Sequence, residues 1–270
     1  MCRLLGYVAD RPTSVVDVLG VDGFDRFTAL TAVHGDGWGM AWRAEDETIQ
    51  TVSVADSASA DPSYDALGRT ALGRAGIVHL RWASDGLATT PENTHPFVEA
   101  DTVLGTVAFA HNGHIEPIGR LEELLDHESR ARLRGTTDSE RYFRIVLECI
   151  EKEQDLEAGV ARALAVLVQE FPTSSLNALM LTPAHMVAVH INSRAAVPQR
   201  RLRAMFDDEG DIPSRHTAEE YFAMDFRVQA DAVHVISSGL DEEGWTPVPA
   251  DSAAIVDLET RTISALPVPS

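Results

Sequence analysis

The order of elements along this sequence predicts an α+β layered fold, with helices packed against sheet faces. Strand-like segments fill the first part, two strongly periodic helices follow, and short strands close the chain. Runs of strands followed by runs of helices favour this plan over an alternating α/β one. Length agrees, since 270 residues are ample for a large core. No internal repeat or low-complexity linker divides the sequence, so a single domain over residues 1–270 is expected.

Taken in order, Cys2 to Ala9 reads as a buried strand ended by Asp10-Arg11-Pro12-Thr13. Val15 to Leu19 and Phe24 to Ala32 are mixed and read as short helical pieces. The glycine-rich turn His34-Gly35-Asp36-Gly37-Trp38-Gly39 feeds a strand, Met40 to Arg43, which can pair with Thr48 to Val54. Ser57 to Pro62 is a polar loop, Tyr64 to Arg74 is helical by composition, and Ile77 to Trp82 is a strand. Val103 to Ala110 is a further strand running into His111-Asn112-Gly113. Ser139 to Lys152 places Tyr142, Phe143, Val146, Leu147 and Ile150 on one helical face. Leu156 to Phe171 repeats the pattern with Leu156, Val160, Leu164, Leu167 and Val168. Leu176 to Leu181 and Met186 to Ile191 form a strand pair around Thr182-Pro183, and Gln199 to His216 is a charged, irregular candidate for a mobile loop. Val233 to Ser237, Ala254 to Leu258 and Thr262 to Ala265 are short strands.

Composition excludes several classes of function. Hydrophobic residues make up 44% and charged residues 24%, ordinary for a soluble globular protein. The formal charge is −20, from 42 acidic against 22 basic residues, and Lys152 is the only lysine. Such a surface repels nucleic acid and anionic lipid, so neither is expected as a partner. Two cysteines, Cys2 and Cys149, make no disulfide framework, and no Cys/His spacing suggests a metal or other cofactor. No basic region followed by an apolar run marks a signal peptide, and no apolar stretch reaches the roughly 18 residues of a membrane span. A cytoplasmic location is expected.

Cys2 follows the initiator methionine directly, and small second residues generally permit its removal. The new terminus would carry a thiol and a free α-amine on one residue. An α-amine titrates near about 7.7–8.0, so it is a general base poised close to neutrality. A thiol beside it is an activated nucleophile that needs no histidine.

Three more segments accompany that cysteine: His79-Leu80-Arg81-Trp82-Ala83-Ser84, His111-Asn112-Gly113 and Thr137-Asp138-Ser139-Glu140. Together with Cys2 they resemble the type-2 (class II) glutamine amidotransferases, members of the N-terminal-nucleophile hydrolases, in motif and in order. The resemblance implies a four-layer αββα sandwich. It implies that Cys2 attacks the side-chain carbonyl of glutamine, with its own α-amine relaying the proton. Asn112 and the Gly113 backbone N–H would hold the oxyanion, and a γ-glutamyl thioester would form on Cys2. Arg81 would grip the substrate α-carboxylate with a planar fork, and Asp138 the α-ammonium, with helix capping as its alternative role. Ser84 would contact the carboxylate through backbone or hydroxyl. Trp82 belongs to the same strand end and is read chiefly as packing. Trp38-Gly39 occupies the place of the family's D-x-x-G turn near the nucleophile and would accept or orient the terminal amine. His79 and His111 end apolar strands and are read as structural, and Cys149 as core.

Asp85 stands where many amidotransferases have histidine, so the loop above the substrate carboxylate is expected to differ. Nothing resembling a second catalytic domain is expected to follow, and Glu92 to Phe97, Phe109 to Gly113 and Ser237 to Pro249 look like the freestanding branch that includes an ergothioneine-pathway γ-glutamyl hydrolase. The expected activity is therefore cysteine-dependent cleavage of the γ-amide of glutamine or of a γ-glutamyl small molecule. The alternatives are a glutaminase subunit delivering ammonia to a synthase partner, a γ-glutamyl peptide hydrolase acting on a thiol metabolite, and a non-enzymatic γ-glutamyl sensor.

Overall fold

A computed structural model describes residues 2–84, 86–206, 215–217, 220–240 and 244–268. Met1, Asp85 and 207–214 of the charged stretch therefore lie outside the described residues. The strands are β1 (Arg3–Thr13), β2 (Trp38–Arg43), β3 (Ile49–Val54), β4 (Gly73–Leu80), β5 (Phe97–Thr102), β6 (Gly105–His111) and β7 (Ala178–Leu181). They continue as β8 (His185–His190), β9 (Met224–Val228), β10 (Ala232–Ser237), β11 (Thr246–Pro247), β12 (Ser252–Asp257) and β13 (Ile263–Leu266). The helices are α1 (Val15–Ala29), α2 (Pro62–Thr70), α3 (Ile118–Leu124), α4 (His127–Ala131), α5 (Asp138–Glu153), α6 (Leu156–Glu170) and α7 (Gln199–Arg203).

Two antiparallel sheets stack face to face. One has the order β11-β9-β10-β1-β4-β2-β3, the other β13-β12-β8-β7-β6-β5. Strand β1 shows why both faces of the first sheet are covered. Leu4 and Val8 point into the contact between the sheets with Ile77, Ala110, Leu179 and Met186. Leu5 and Tyr7 point the other way, against Phe24, Phe27 and Tyr64 of α1 and α2. This period-2 division is what a strand buried on both faces requires. At Gly6 the sheets come so close that a Cβ would sit 2.9 Å from Leu179 Cδ1 and Met186 Sδ.

Helices α5 and α6 cover the second sheet, laying Tyr142, Phe143, Val146, Ile150, Leu164 and Leu167 against its outer face. Thr137 caps α5 by accepting from Glu140 N, and Asp155 caps α6 by accepting from Ala158 N. The layers are thus helix, sheet, sheet, helix, the αββα sandwich expected.

Several elements differ from the sequence reading. Strand β1 runs on through Asp10-Arg11-Pro12-Thr13, with a register shift between Val8 and Thr13 that lets Pro12 sit where the ladder is interrupted. Strands β5 and β9 and helices α3 and α4 were not anticipated. The two helical pieces near the start form one element broken at Gly20, whose φ of 72° leaves the helical region. Within the charged stretch, the described part contains α7 and buries Leu202 and His216, so it packs rather than standing free.

Candidate active site

The fold brings the four motifs to one end of the sandwich. Strand β1 lies between β10 and β4, and Arg3 pairs with Leu80, so Cys2 sits beside the segment Arg81-Trp82 that leaves β4. Strand β6 of the other sheet ends in Asn112-Gly113, and α5 starts with Asp138.

Cys2 is buried and held by three contacts. Its backbone N donates to Asn112 Oδ1 at 2.9 Å. Its carbonyl accepts from Arg3 Nη1 at 2.9 Å. Its Sγ lies 3.9 Å from Trp82 O. Burial pushes the thiol above its ordinary range, while the positive amino terminus, the Trp82 contact, Arg81 and Arg3 pull it down.

The bond from Cys2 N fixes which end of the Asn112 amide is oxygen. Asn112 Nδ2 is then a donor, buried and without a hydrogen-bond partner. A buried donor left unmatched costs about 1–3 kcal/mol, so its persistence needs an explanation. The Asn112 backbone is tied on both sides, its N donating to Asn177 O at 2.7 Å and its carbonyl accepting from Ser175 Oγ at 3.2 Å.

Gly113 is required by the protein itself. A Cβ there would lie 1.9 Å from Ser175 O and 2.3 Å from His111 Nε2, so the close approach is to Ser175 rather than to a ligand alone. His111 fills the remaining space, with Nδ1 2.9 Å from Ser139 Oγ and Nε2 2.8 Å from Ser175 O. His79 Nε2 is 3.3 Å from His111 O, and its ring lies 4.2 Å from that of His95. Burial lowers the His79 pKa to about 3 and pushes His95 well below its ordinary value. Both histidines are neutral packing groups behind the turn. Among the described residues no group of three or more His, Cys, Asp or Glu is arranged to hold a metal ion.

Asp138 is the first residue of α5, not its cap, because Thr137 fills that position. Its Oδ2 accepts from Ile115 N at 2.7 Å and lies 3.5 Å from His114 Nδ1. Burial raises the Asp138 pKa, but His114, His111 and the Ile115 N–H outweigh it and hold the carboxyl below its ordinary value. Asp138 and Ser84 line a cavity of about 360 Å³ together with Leu87, His114, Glu116 and Arg201. Arg81 is buried, donating to Asp36 O at 3.4 Å and Ala88 O at 3.2 Å. Trp82 lies edge-on to His34 at 6.0 Å and under Arg201 at 4.4 Å.

A model of the family described as class-II glutamine amidotransferases matches residues 1–233. A Haemophilus influenzae protein assigned by name as a glutamine amidotransferase is 32% identical over 256 residues, covering 91% of this chain and 81% of that protein. The chain belongs to the class-II glutamine amidotransferases. A glutamine–fructose-6-phosphate aminotransferase of Thermus thermophilus is 38% identical over 174 residues, which take in 62% of this chain but 26% of that enzyme. Of solved structures, a class-II domain protein from Silicibacter pomeroyi superposes with a TM-score of 0.65 at 18% identity, covering 99% of this chain and all of that one. The glutamine phosphoribosylpyrophosphate amidotransferase of Bacillus subtilis gives 0.62 at 15% identity, with 98% of this chain on 48% of that one. These two likenesses carry the fold.

Within this amidotransferase the glycine-rich turn contributes differently from the expectation for Trp38-Gly39. Trp38 faces away, its indole donating to Asp61 Oδ2 at 3.0 Å, and a Cβ on Gly39 would strike His95 O. Asp36 is the residue that reaches the site, its Oδ2 accepting from Ala83 N at 2.8 Å. Sequence reasoning also missed Arg3. It is fully buried, with Nη2 2.8 Å from His216 Nε2, which in turn lies 3.0 Å from His34 Nε2. An arginine inside the apolar run Cys2-Arg3-Leu4-Leu5 was the available signal. Arg201 and His114 carried no such signal, since each reaches the cavity from a loop or a one-turn helix. Cys149 is buried in the α5 core.

Proposed function

We propose that this amidotransferase is a cysteine amidohydrolase that cleaves the γ-amide of glutamine or of a γ-glutamyl compound through a thioester on Cys2. The observation that carries the reading is Asn112: one end of its amide is bonded to the Cys2 nitrogen, and the other is a buried donor awaiting an acceptor. A developing oxyanion is such an acceptor, and donors fixed in advance act on it without reorganisation.

In the proposed reaction Met1 has been removed, and the Cys2 nitrogen is an amine. The thiol proton passes to that amine as Sγ bonds to the amide carbon, and the carbonyl oxygen becomes an oxyanion held by Asn112 Nδ2 and the Gly113 N–H. Collapse breaks the C–N bond, and the α-ammonium protonates the departing nitrogen. Water, deprotonated by the amine, then splits the γ-glutamyl thioester and restores the thiol. The raised thiol pKa makes this base necessary, because the buried group is neutral near pH 7. Asp138 supplies the anion for the substrate ammonium, Ser84 a polar contact, and Arg81 the cation of the site. Residues 1–270 are taken as one amidotransferase domain. Glutamate release from L-glutamine by protein with Cys2 as its confirmed first residue tests the reading, and its loss in Cys2→Ala is the result expected.

A second reading is favoured by the aminotransferase relatives in which a similar segment is about a quarter of a larger enzyme. There the chain would be a glutaminase unit passing ammonia to a partner protein. Low activity alone that rises on adding a co-purifying synthase would support it.

A further inference from the structure

His114 follows Asn112-Gly113 directly and lines the same cavity as Asp138. Its imidazole stands between two carboxylates, with Nε2 3.0 Å from Glu116 Oε1 and Nδ1 3.5 Å from Asp138 Oδ2. The two anions are not equivalent. Glu116 is exposed, so water and salt screen its attraction, whereas Asp138 is buried and its charge is felt more strongly.

The ring is not needed to hold this loop. The His114 backbone bridges to Ser175, and the fully buried Ile115 donates its N–H to Asp138 Oδ2 at 2.7 Å. The half-buried imidazole is therefore presented to the cavity by a backbone fixed on other grounds. Asp138 raises the His114 pKa above its ordinary 6.5 against partial burial, and Glu116 adds to the rise. The charged groups around the ring come from several elements. Helix α5 supplies Asp138, its own loop Glu116, and β6 His111, which burial holds below its ordinary value. Helix α7 supplies Arg201, stacked on Trp82 and donating to Ala83 O, and α3 sends only the apolar Ile118 to the cavity.

We propose that in the free enzyme protonated His114 is the counter-ion of Asp138, and that the substrate's α-ammonium takes its place with loss of the His114 proton to solvent. This rests on the amidohydrolase reading, which gives Asp138 the substrate ammonium. Two cations drawn to one buried carboxylate repel each other, and the imidazole is the one that sheds its charge near neutrality. Because binding then expels a proton, affinity rises with pH until His114 is neutral in the free enzyme. The site thereby distinguishes ligands by whether they carry an ammonium.

Calorimetry of L-glutamine binding to Cys2→Ala protein, with and without His114→Gln, tests it. In buffers of different ionisation enthalpy, binding near pH 6.5 should release protons, and affinity should rise about threefold or more from pH 5.5 to 7.5. His114→Gln, which keeps a polar side chain without a titrating charge, should abolish both the release and the rise. Glutaramate, which is L-glutamine without its α-ammonium, should release no proton on binding protein that retains His114. Affinity independent of pH, or equal release in His114→Gln or with glutaramate, overturns the proposal. If L-glutamine binds too weakly for calorimetry, the pH dependence of KM in the parent and His114→Gln enzymes makes the same comparison. Proton-releasing binding by protein whose Cys2 form hydrolyses nothing defeats the catalytic reading and leaves the role of His114 standing. Hydrolysis without proton release does the reverse, and neither binding nor hydrolysis overturns both.

Discussion

The backbone nitrogen of Cys2 and the side-chain oxygen of Asn112, 110 positions apart in sequence, are hydrogen-bonded at 2.9 Å. One amide group therefore holds the Cys2 nitrogen and, by the same act, leaves Nδ2 a buried donor without a hydrogen-bond partner. The proposed mechanism assigns these two ends to the base and to the oxyanion. Asn112→Ala should lower kcat about 10²–10³-fold with a much smaller change in KM, the signature of an interaction made in the transition state. A kcat within threefold of the parent enzyme would remove Asn112 from the chemistry.

The terminal amine is the second consequence. Blocking it with an extra residue before Cys2 turns the base into an amide nitrogen, and kcat should fall by at least about 10²-fold. In the processed protein the acid limb of the kcat/KM profile should rise with pH through the α-amine range, about 7.7–8.0 for an unperturbed group. Below that range the amine is protonated and cannot accept the proton of a thiol whose pKa burial has raised. A profile flat from pH 6 to 9 in processed protein would contradict this assignment.

Gly113→Ala should both unfold more easily and turn over more slowly. Its Cβ would meet Ser175 O at 1.9 Å, and that carbonyl is also bonded to His111. Overpacking of this kind costs about 1–3 kcal/mol, a drop of several degrees in thermal midpoint. An unchanged midpoint would mean that the His111–Ser175 contact yields without cost.

What the sequence made legible follows from where each signal resides. Helices α5 and α6 are readable because their buried faces recur at 3.6 residues, and Cys2, Asn112 and Asp138 because each sits in a compact local motif. Strand β5 is hidden because Glu99, paired with Arg144, interrupts its apolar pattern. Helix α3 buries only Leu121 and so offers no stripe. Strand β1 outlasts its turn residues because a shift in register, invisible in sequence, absorbs them. Asp36, His114 and Arg201 join the site only through tertiary contacts, as the Ala83 N–H bond to Asp36 and the Arg201 stack on Trp82 show.

The buried histidines set the acid stability of the fold. His79 titrates near 3 in the native chain, against an ordinary value of 6.5, and His95 is also strongly depressed. Below about pH 6.5 the unfolded chain binds protons that the folded chain rejects, so stability falls as pH drops toward 3. Asp138, also depressed, adds its own loss only at lower pH, as it protonates. The urea midpoint should therefore be lower at pH 5.0 than at pH 7.5. An equal or higher midpoint at pH 5.0 would show that these histidines are solvated or charged in the native state.

Glutamate released from millimolar L-glutamine, by protein whose first residue is confirmed as Cys2, tests the central claim most directly. The account predicts release that is abolished in Cys2→Ala and lost when Met1 is retained. Full hydrolysis by Cys2→Ala would contradict it.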